Sequence, residues 1–410
     1  MRYRHRVLGM LFLLSIITYI DRVCISVAGP RMQADLGISP EQWGWVVGLF
    51  AIAYAAFEIP SGTLGDRIGP RKVLTRIVIW WSAFTSLTGF ATSFAMLLPI
   101  RFLFGAGEAG AYPNSSSSIS RWFPVVERAR AHGFVWMASR IGGALSPFLV
   151  VPIQQAYGWR AAFFAFGFLG VIWSAFWYAW YRDYPSEKSG VTTKELEEIG
   201  TDPRGAHHGL PWLIALRSRN LWFIMLMYFT YCYGSFFFLS WLHTYLVKGR
   251  GFSEKDLLLS TLPFVLGAIA NGAGGFASDA MVAKIGLKWG RRSVAMAGLS
   301  ASAVFTVATV LTEDKILALV FLALSYAGSD FMLPTAWAVC LDVGKKYAGA
   351  VTGTMNTAGQ IGSFLSSVLF GYFVTMSNSY DIPLLPIAAM LAISALLWLK
   401  IDPTEPLIPS

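Results

Sequence analysis

Charged residues are scarce in this chain. Asp, Glu, Lys and Arg make up 13% of its 410 residues, whereas a soluble domain carries about 25%. Hydrophobic residues account for 55% of the sequence. Because so few side chains favour water, most of the chain must face lipid or other helices, and an ordinary soluble protein is excluded.

Cysteine and histidine are also few. Cys24, Cys232 and Cys340 are scattered through apolar runs, and the 5 histidines form no cluster with them. This pattern excludes the common metal-binding motifs. The sequence also lacks a Ser-His-Asp set and a phosphate-binding loop. We therefore expect no enzyme activity, no metal and no cofactor apart from a coupling proton.

Long apolar runs dominate what is present. Twelve runs near the length of a bilayer crossing lie between residues 7 and 401, six on each side of a polar stretch from Arg182 to Arg219. Strands of a membrane barrel would instead alternate over about 10 residues. We predict an all-α integral membrane protein with twelve transmembrane helices: an amino-terminal six-helix bundle over residues 1–181, a cytoplasmic linker over 182–218 and a carboxy-terminal six-helix bundle over 219–410.

The positive charges predict how the helices are oriented. Most of the 32 Lys and Arg residues fall in segments that share a side with the amino terminus. Since basic loops stay in the cytoplasm, we expect a multi-pass protein of the cell inner membrane with both termini cytoplasmic. This bias accounts for the formal net charge of +9 without a nucleic-acid partner. We expect the protein to be a monomer.

Four ionisable residues interrupt the apolar runs of the first half. Asp21 and Arg22 lie in the first run, and Arg101 and Glu108, which are two helical turns apart, lie in the fourth. At a rise of about 1.5 Å per residue, the two arginines lie at one depth and Glu108 lies near the midplane. Charges in hydrocarbon usually face a wet cavity or a partner. We interpret this region as the wall of a polar pathway.

These side chains have the chemistry of proton-coupled anion binding. An arginine fork matches a carboxylate, and a buried glutamate could alternate between charged and neutral forms. Alternatively, the four charges form buried ion pairs that only fix helix packing. Arg140 on the fifth run could be a third anion contact or the partner of Glu108. Asn356 and Gln360 share a face of the eleventh run and could bind substrate hydroxyls or join neighbouring helices.

A loop motif follows the second run. Gly62-Thr-Leu-Gly-Asp66-Arg67-Ile-Gly-Pro-Arg71 resembles the loop signature of the major facilitator superfamily. The matching place in the second half reads Gly275-Phe-Ala-Ser-Asp279, followed by Gly290-Arg291-Arg292. Asp66 could occupy the amino terminus of a helix or pair with a loop arginine, and the basic residues could be only membrane anchors. The resemblance implies gating roles, in a cytoplasmic latch between the halves, for Gly62, Asp66, Arg67, Arg71, Asp279 and Arg291.

Two six-helix halves that repeat in this way are typical of a transporter that rocks around a site near the midplane. Gly158-Trp-Arg160 and Trp337-Ala-Val-x-x-Asp342 extend the resemblance to nearly the whole chain. With the residues above, they resemble the anion:cation symporter family of that superfamily. This family includes bacterial permeases for galactonate, glucarate and hexuronates and is related to sialin and the vesicular glutamate transporters. The resemblance implies the major facilitator fold, in which two pseudo-symmetric six-helix bundles face each other.

The resemblance also implies roles for individual residues. Asp21 and Glu108 would be the proton-coupling pair, and Arg22 and Arg101 would hold the substrate carboxylate. The other residues of the predicted substrate site are Tyr19, Tyr54, Trp337 and Asn356, which would contact a polyol, together with Arg140 and Gln360.

We expect a secondary active transporter that takes up a small organic anion by symport with protons and alternating access. A sugar acid such as an aldonate, aldarate or hexuronate is the expected substrate. The alternative is a proton-coupled exporter or exchanger of another organic anion, such as an aromatic acid or a dicarboxylate. Drug exporters of the superfamily carry a Gly-Pro plus Gly-Gly motif in helix five, which Ile141-Gly-Gly-Ala-Leu-Ser-Pro147 matches poorly.

Overall fold

The part of the chain that can be described is helical. The computed structural model describes residues 2–200, 215–253, 255–344 and 348–407, and these ranges contain helices and no β-strand. The all-α fold class is therefore confirmed. Residues 201–214 of the predicted linker lie outside the described residues.

Eight helices occupy the described residues up to Ile199. They are α1 Tyr3–Asp35, α2 Pro40–Ile68, α3 Pro70–Gly89, α4 Phe94–Glu108, α5 Ala111–Trp122, α6 Val125–Tyr157, α7 Trp159–Trp180 and α8 Thr193–Ile199. A 3-10 turn over Pro185–Glu187 lies between α7 and α8. The first seven helices supply the crossings of the first half, and α8 is too short to span a bilayer.

Seven helices occupy the described residues after Arg217. They are α9 Arg219–Ser235, α10 Phe237–Ser240, α11 Leu242–Thr244, α12 Thr261–Leu311, α13 Lys315–Gly344, α14 Ala348–Ser377 and α15 Leu384–Leu397. A π-helical turn over Tyr245–Gly249 and a 3-10 turn over Lys255–Ser260 connect α11 to α12. The backbone of α12 is not helical at Gly286, where it turns between two crossings.

The number of crossings agrees with the sequence. Eight helical segments within the described residues are long and apolar enough to cross a membrane, and one of them, Asp256–Leu311, contains two crossings joined at Gly286. The set is completed by α2 with 29 residues, α3 with 20 and the shorter apolar helix α15. When α4 is counted with α5, and α9 with α10 and α11, the described residues hold the twelve predicted helices.

Contacts divide the chain into two compact units. Unit 1 is Met1–Ala28 with Ile52–His207, and unit 2 is Gly29–Ala51 with His208–Ser410. The segment Gly29–Ala51 was expected in the amino-terminal bundle, but it packs within unit 2. A Cβ atom on Gly44 would lie 2.6 Å from the Ser367 carbonyl oxygen of α14. Because glycine permits this backbone approach, the start of α2 packs against α14 within unit 2.

Local sequence explains where several helices begin. The side chains of Ser93, Thr192 and Ser218 each accept a hydrogen bond from a backbone N–H three residues ahead, at the starts of α4, α8 and α9. These caps satisfy N–H groups that have no partner within the helix. Between its ends an α-helix satisfies its own backbone hydrogen bonds, as a lipid environment requires.

Large side chains separate the interior of each unit from its lipid-facing surface. Trp81 and Trp177 of unit 1, and Trp398 of unit 2, are completely buried. Phe276 and Leu311, in contrast, are 84% and 78% exposed. An apolar surface of this kind fits contact with hydrocarbon.

The repeat between the halves follows a different glycine from the one expected. Gly69 precedes α3 with a φ of 87°, and Gly286 precedes the ninth crossing with a φ of 81°. Gly286, and not Gly290, is therefore the counterpart of Gly69, because the chain turns where a left-handed residue is needed. Gly290 has another role: a Cβ atom there would lie 2.5 Å from the backbone of Val282, so it allows the two arms of α12 to approach.

Candidate functional site

A buried ion pair joins α1 to α4 in unit 1. The Nε–H group of Arg22 donates to Oε1 of Glu108, whose side chain is 1% exposed while that of Arg22 is 10% exposed. The other oxygen, Oε2, has no hydrogen-bond partner among the described residues. The sequence left Arg140 open as the partner of Glu108, and the structure gives that place to Arg22.

Aromatic rings surround the guanidinium of Arg22. Its central carbon lies 4.9 Å from the ring centre of Tyr54, 5.4 Å from that of Tyr19 and 6.0 Å from that of Tyr112. The guanidinium of Arg140 lies 6.0 Å from the Tyr19 ring. Ring faces attract cations, so the predicted substrate residues Tyr19 and Tyr54 hold Arg22 in position.

Tyr112 is a further residue beside Arg22, and hydropathy alone does not distinguish it. Its hydroxyl lies 3.1 Å from that of Ser15, and its ring stacks on Trp136 at 4.7 Å between centres. It follows Glu108 by four residues, and a helical face shared with Glu108 was the available signal. The fourth apolar run covers residues 96–118, and one continuous helix over it would have placed Tyr112 beside Glu108.

Asp21 and Arg101 lie close to this ion pair. Asp21 is 3% exposed, and neither of its carboxylate oxygens accepts a hydrogen bond from a described residue. It interacts electrostatically with Glu108 and Arg101, and the indole of Trp81 lies beside it. Since a charged carboxylate is costly to bury without donors, Asp21 is suited to carry a proton.

Three arginines and two carboxyl groups thus lie in one buried region of unit 1. Arg101 is 3% exposed, Arg140 is 8% exposed, and Arg101 lies 4.6 Å over the Phe104 ring. The buried carboxyl group of Glu58 lies near Tyr54, so with all three acids ionised the charges of this region cancel. Protonation of Asp21 or Glu108 leaves an excess of positive charge, which is complementary to an anion.

The helix that carries Glu108 is broken immediately after it. Helix α4 ends at Glu108, Gly110 adopts a φ of 91°, and α5 begins at Ala111. A Cβ atom on Gly110 would lie 2.1 Å from Oγ of Ser61. The prediction of one continuous helix here is wrong, because Gly110 supplies a left-handed turn in close contact with α2. Breaks at membrane depth occur where the backbone is buried in protein and often mark binding sites.

Asn114 holds the two sides of this break together. Its side chain is completely buried, and Nδ2 donates to the carbonyl oxygens of Gly110 at 2.8 Å and Ser61 at 3.2 Å. Its Oδ1 would lie 1.6 Å from a Cβ atom on Gly65, and Pro113 would lie 3.2 Å from one on Gly62. The glycines of the loop motif therefore seat α5 against α2.

The sequence of this chain is similar to those of known proteins. The profile of the Major Facilitator Superfamily matches residues 11–367. The chain belongs to this superfamily. A probable sulfoacetate transporter of Cupriavidus necator is 37% identical over 406 residues, covering 98% of this chain and 94% of that protein. A hexuronate transporter of Bacillus subtilis is 33% identical over 388 residues, covering 91% of this chain and 90% of that protein.

Solved structures show the same fold. A bacterial homologue of the human lysosomal transporter Spinster, in an inward-facing and occupied conformation, has a TM-score of 0.80 and 19% sequence identity, with 97% of each chain covered. The predicted major facilitator fold and the resemblance to anion permeases are confirmed. The protein is therefore a multi-pass membrane transporter and not an enzyme.

The superfamily's loop motif has an acidic partner that the sequence analysis did not assign. Asp183, just after α7, accepts a hydrogen bond from the backbone N–H of Arg71 at 2.8 Å. A Cβ atom on Gly69 would lie 2.2 Å from Oδ2 of Asp183. Asp183 thus occupies the amino terminus of α3, a place that had been considered for Asp66. Burial raises the pKa of Asp183, against the hydrogen bond from Arg71.

Two members of the motif provide less information. The side chain of Asp66 lies outside the described residues, and Arg67 is exposed. The gating role of Gly62, Asp66, Arg67 and Arg71 stays a prediction.

In unit 2 the repeat brings its charged residues together. The guanidinium of Arg291 donates to Asp279 at 3.0 Å and to Asp342 at 3.2 Å. The sequence repeat places Asp279 and Arg291 in the segment that corresponds to the loop motif of the first half. The structure joins them, with Asp342, in one network. Their gating role also stays a prediction.

The remaining substrate-site candidates belong to unit 2. Trp337 lies on α13, Asn356 and Gln360 lie on α14, and all three are half-buried. Oε1 of Gln360 has no hydrogen-bond partner among the described residues. The spacing of Asn356 and Gln360 on a continuous helix puts them on one face. Their contact with substrate stays a prediction.

Proposed function

We propose that this transporter takes up a small organic anion by symport with protons and alternating access. The observation that carries the proposal is the buried Arg22–Glu108 pair, with Asp21 beside it, whose carboxylate oxygens accept no hydrogen bond from a described residue. Coupling the movement of an anion to that of a proton requires at least a fixed cation that binds the anion and a counter-ion that a proton can neutralise.

Competition for Arg22 supplies the coupling. While Glu108 is ionised, it occupies the Nε–H group that an anion would use. Protonation of Glu108 frees that group, and a bound anion in turn favours protonation of Glu108 and Asp21. An anion that enters together with one proton leaves the net charge of the site unchanged, whereas an anion alone would add a charge, and moving an added charge through hydrocarbon is costly.

A sugar acid is the first candidate for the substrate. The hexuronate transporter at 33% identity supports an aldonate, aldarate or hexuronate. The amides of Asn356 and Gln360 suit hydroxyl groups, which are donors and acceptors. A sulfonate such as sulfoacetate is the second candidate, because the relative at 37% identity is a probable sulfoacetate transporter. Both head groups are oxyanions that an arginine fork can bind.

The remaining properties complete the proposal. The protein lies in the cell inner membrane with both termini cytoplasmic, works as a monomer, and uses protons without another cofactor. The positive charges shared by the amino terminus and the long polar stretch support this orientation.

Reconstituted transport tests substrate and coupling together. Purified protein in liposomes is given an inward proton gradient and a panel of labelled acids: glucuronate, galactonate, glucarate, sulfoacetate, succinate and benzoate. We expect accumulation of one organic anion, abolished by a protonophore. Accumulation of a sugar acid supports the first candidate, and accumulation of sulfoacetate alone supports the second. Accumulation that is unaffected by the protonophore would refute proton symport, and proton-driven efflux without uptake would favour an exporter.

A further inference from the structure

Four basic side chains gather where α7 ends. Arg71, Arg182 and Lys188 bind the last carbonyl groups of this helix, and Arg6 lies 4.9 Å over the ring of Tyr3, which stacks on Trp180. The hydrogen bonds run from Arg71 to Tyr178 at 2.6 Å, from Arg182 to Ala179 at 3.0 Å and Tyr181 at 2.8 Å, and from Lys188 to Trp180 at 2.7 Å. We call these four residues the α7 basic cluster.

Capping the helix does not account for this much positive charge. The carboxyl end of a helix carries roughly half a negative charge, whereas the α7 basic cluster has four cations. Slight burial, and then repulsion from Arg182, Arg71 and Arg6, lower the pKa of Lys188. Asp183 lies beside Arg71 and accepts a hydrogen bond from its backbone N–H, and Glu187 is exposed. These two carboxylates leave the four cations in excess.

The α7 basic cluster adjoins aromatic rings of the kind found at membrane interfaces. Lys188 lies 4.5 Å over the Trp180 ring, and Arg71 lies 4.5 Å over the Tyr178 ring. The Trp180 ring stacks on Tyr3 at 6.1 Å. Tryptophan and tyrosine are enriched at the level of lipid headgroups, so these rings suit a position near phosphate groups.

An apolar track leads away from the α7 basic cluster along the same helix. Phe168, Ile172 and Phe176 are 65%, 38% and 66% exposed. They are spaced four residues apart and therefore lie on one face of α7. A lipid whose headgroup reached the cluster could lay an acyl chain along this face.

We propose that the α7 basic cluster binds the phosphate headgroup of an anionic phospholipid, with an acyl chain against the exposed face of α7. Basic residues anywhere in the cytoplasmic loops would be enough to orient the helices in the membrane. The convergence of these four side chains on one helix end therefore needs another explanation. Arginine and lysine form charge-assisted hydrogen bonds with phosphate. Each basic residue at an anionic surface should strengthen lipid binding about fivefold, which corresponds to about 1 kcal/mol.

Lipid retention by the full-length transporter tests this proposal. Purified protein is exchanged into nanodiscs of phosphatidylcholine with or without phosphatidylglycerol, and tightly retained lipid is measured by native mass spectrometry. The test variant is Arg6→Gln with Lys188→Gln. The matched control is Lys72→Gln with Lys194→Gln, which removes the same charge from exposed positions. We expect the test variant to bind phosphatidylglycerol at least about tenfold more weakly, and the control to bind like the wild type.

Three results would overturn the proposal. Equal loss in both variants would show that only total charge matters. If inorganic phosphate displaces phosphatidylglycerol as effectively as a short-chain phosphatidylglycerol does, a free phosphate rather than a lipid is the ligand. If the test variant does not fold, the wild type decides: no preference for phosphatidylglycerol over phosphatidylcholine at low salt refutes the site.

Discussion

Replacing Glu108 by glutamine isolates the proposed coupling step. The substitution keeps the shape of the side chain but removes the acid that pairs with Arg22, whose guanidinium is only 10% exposed. Removing one partner of a buried ion pair costs about 3–5 kcal/mol of stability, because the other charge stays buried. We therefore expect Glu108→Gln to be markedly less stable than the wild type without substrate.

The same substitution should strengthen substrate binding. In Glu108→Gln an anion no longer competes with a carboxylate for Arg22, and the binding of the anion also compensates the buried charge. We expect affinity for the substrate to rise about tenfold, which corresponds to about 1.4 kcal/mol. Thermal unfolding with and without substrate measures this directly: substrate should stabilise the variant more than it stabilises the wild type.

Transport assays then separate binding from coupling. In liposomes, Glu108→Gln should lose uphill uptake driven by a proton gradient and keep substrate counterflow, which needs no net proton movement. Glu58→Gln is the matched control, because Glu58 is also a buried carboxyl group of unit 1, at 7% exposure, but is not assigned to coupling. Equal loss of uphill uptake and counterflow in Glu108→Gln, or the same phenotype in both variants, would refute the reasoning.

Three further predictions follow from the geometry. Arg101→Lys keeps the charge but loses the planar fork, so substrate affinity should fall at least about tenfold; unchanged affinity by thermal shift would exclude a bidentate contact. Gly110→Ala should impair folding and transport, because its Cβ atom would meet Ser61 and its φ is positive, whereas Gly9→Ala should have no effect, since nothing lies within 4 Å there. Although burial opposes it, hydrogen bonds from Lys288 and Thr404 lower the pKa of Asp402 to about 2. Its contribution to the stability of the folded protein is present above about pH 4 and is lost as the pH falls towards 2. In Asp402→Asn, the stability measured by unfolding should therefore depend less on pH across that range than it does in the wild type.

Much of the fold follows from hydrophobicity alone. A run of about 20 apolar residues is the length of a bilayer crossing, and lipid leaves such a run few alternatives to a helix. The order and number of helices were therefore predictable, as was the all-α class. The contacts that group Gly29–Ala51 with unit 2 were not predictable, because a hydropathy pattern does not record which neighbour a glycine such as Gly44 allows to approach.

The candidate site was predictable as a set of residues. Charges in apolar runs are costly, so Asp21, Arg22, Arg101 and Glu108 stand out in a sequence with few charges. Their pairing was not predictable, because helical depth places several side chains within reach of one another. Tyr112, which helps to hold Arg22, was missed because a tyrosine in a membrane helix is usual.

The sequence by itself determined that this chain spans the membrane twelve times and keeps a small number of ionisable groups within it, since the free energy of placing each residue in lipid depends mainly on that residue. Only the tertiary structure decided that Arg22 pairs with Glu108, that the helix breaks at Gly110 directly after that acid, and that Asp183 caps α3. These features depend on which helices lie side by side and how closely their backbones approach, and neither is recorded in the order of hydrophobic and polar residues.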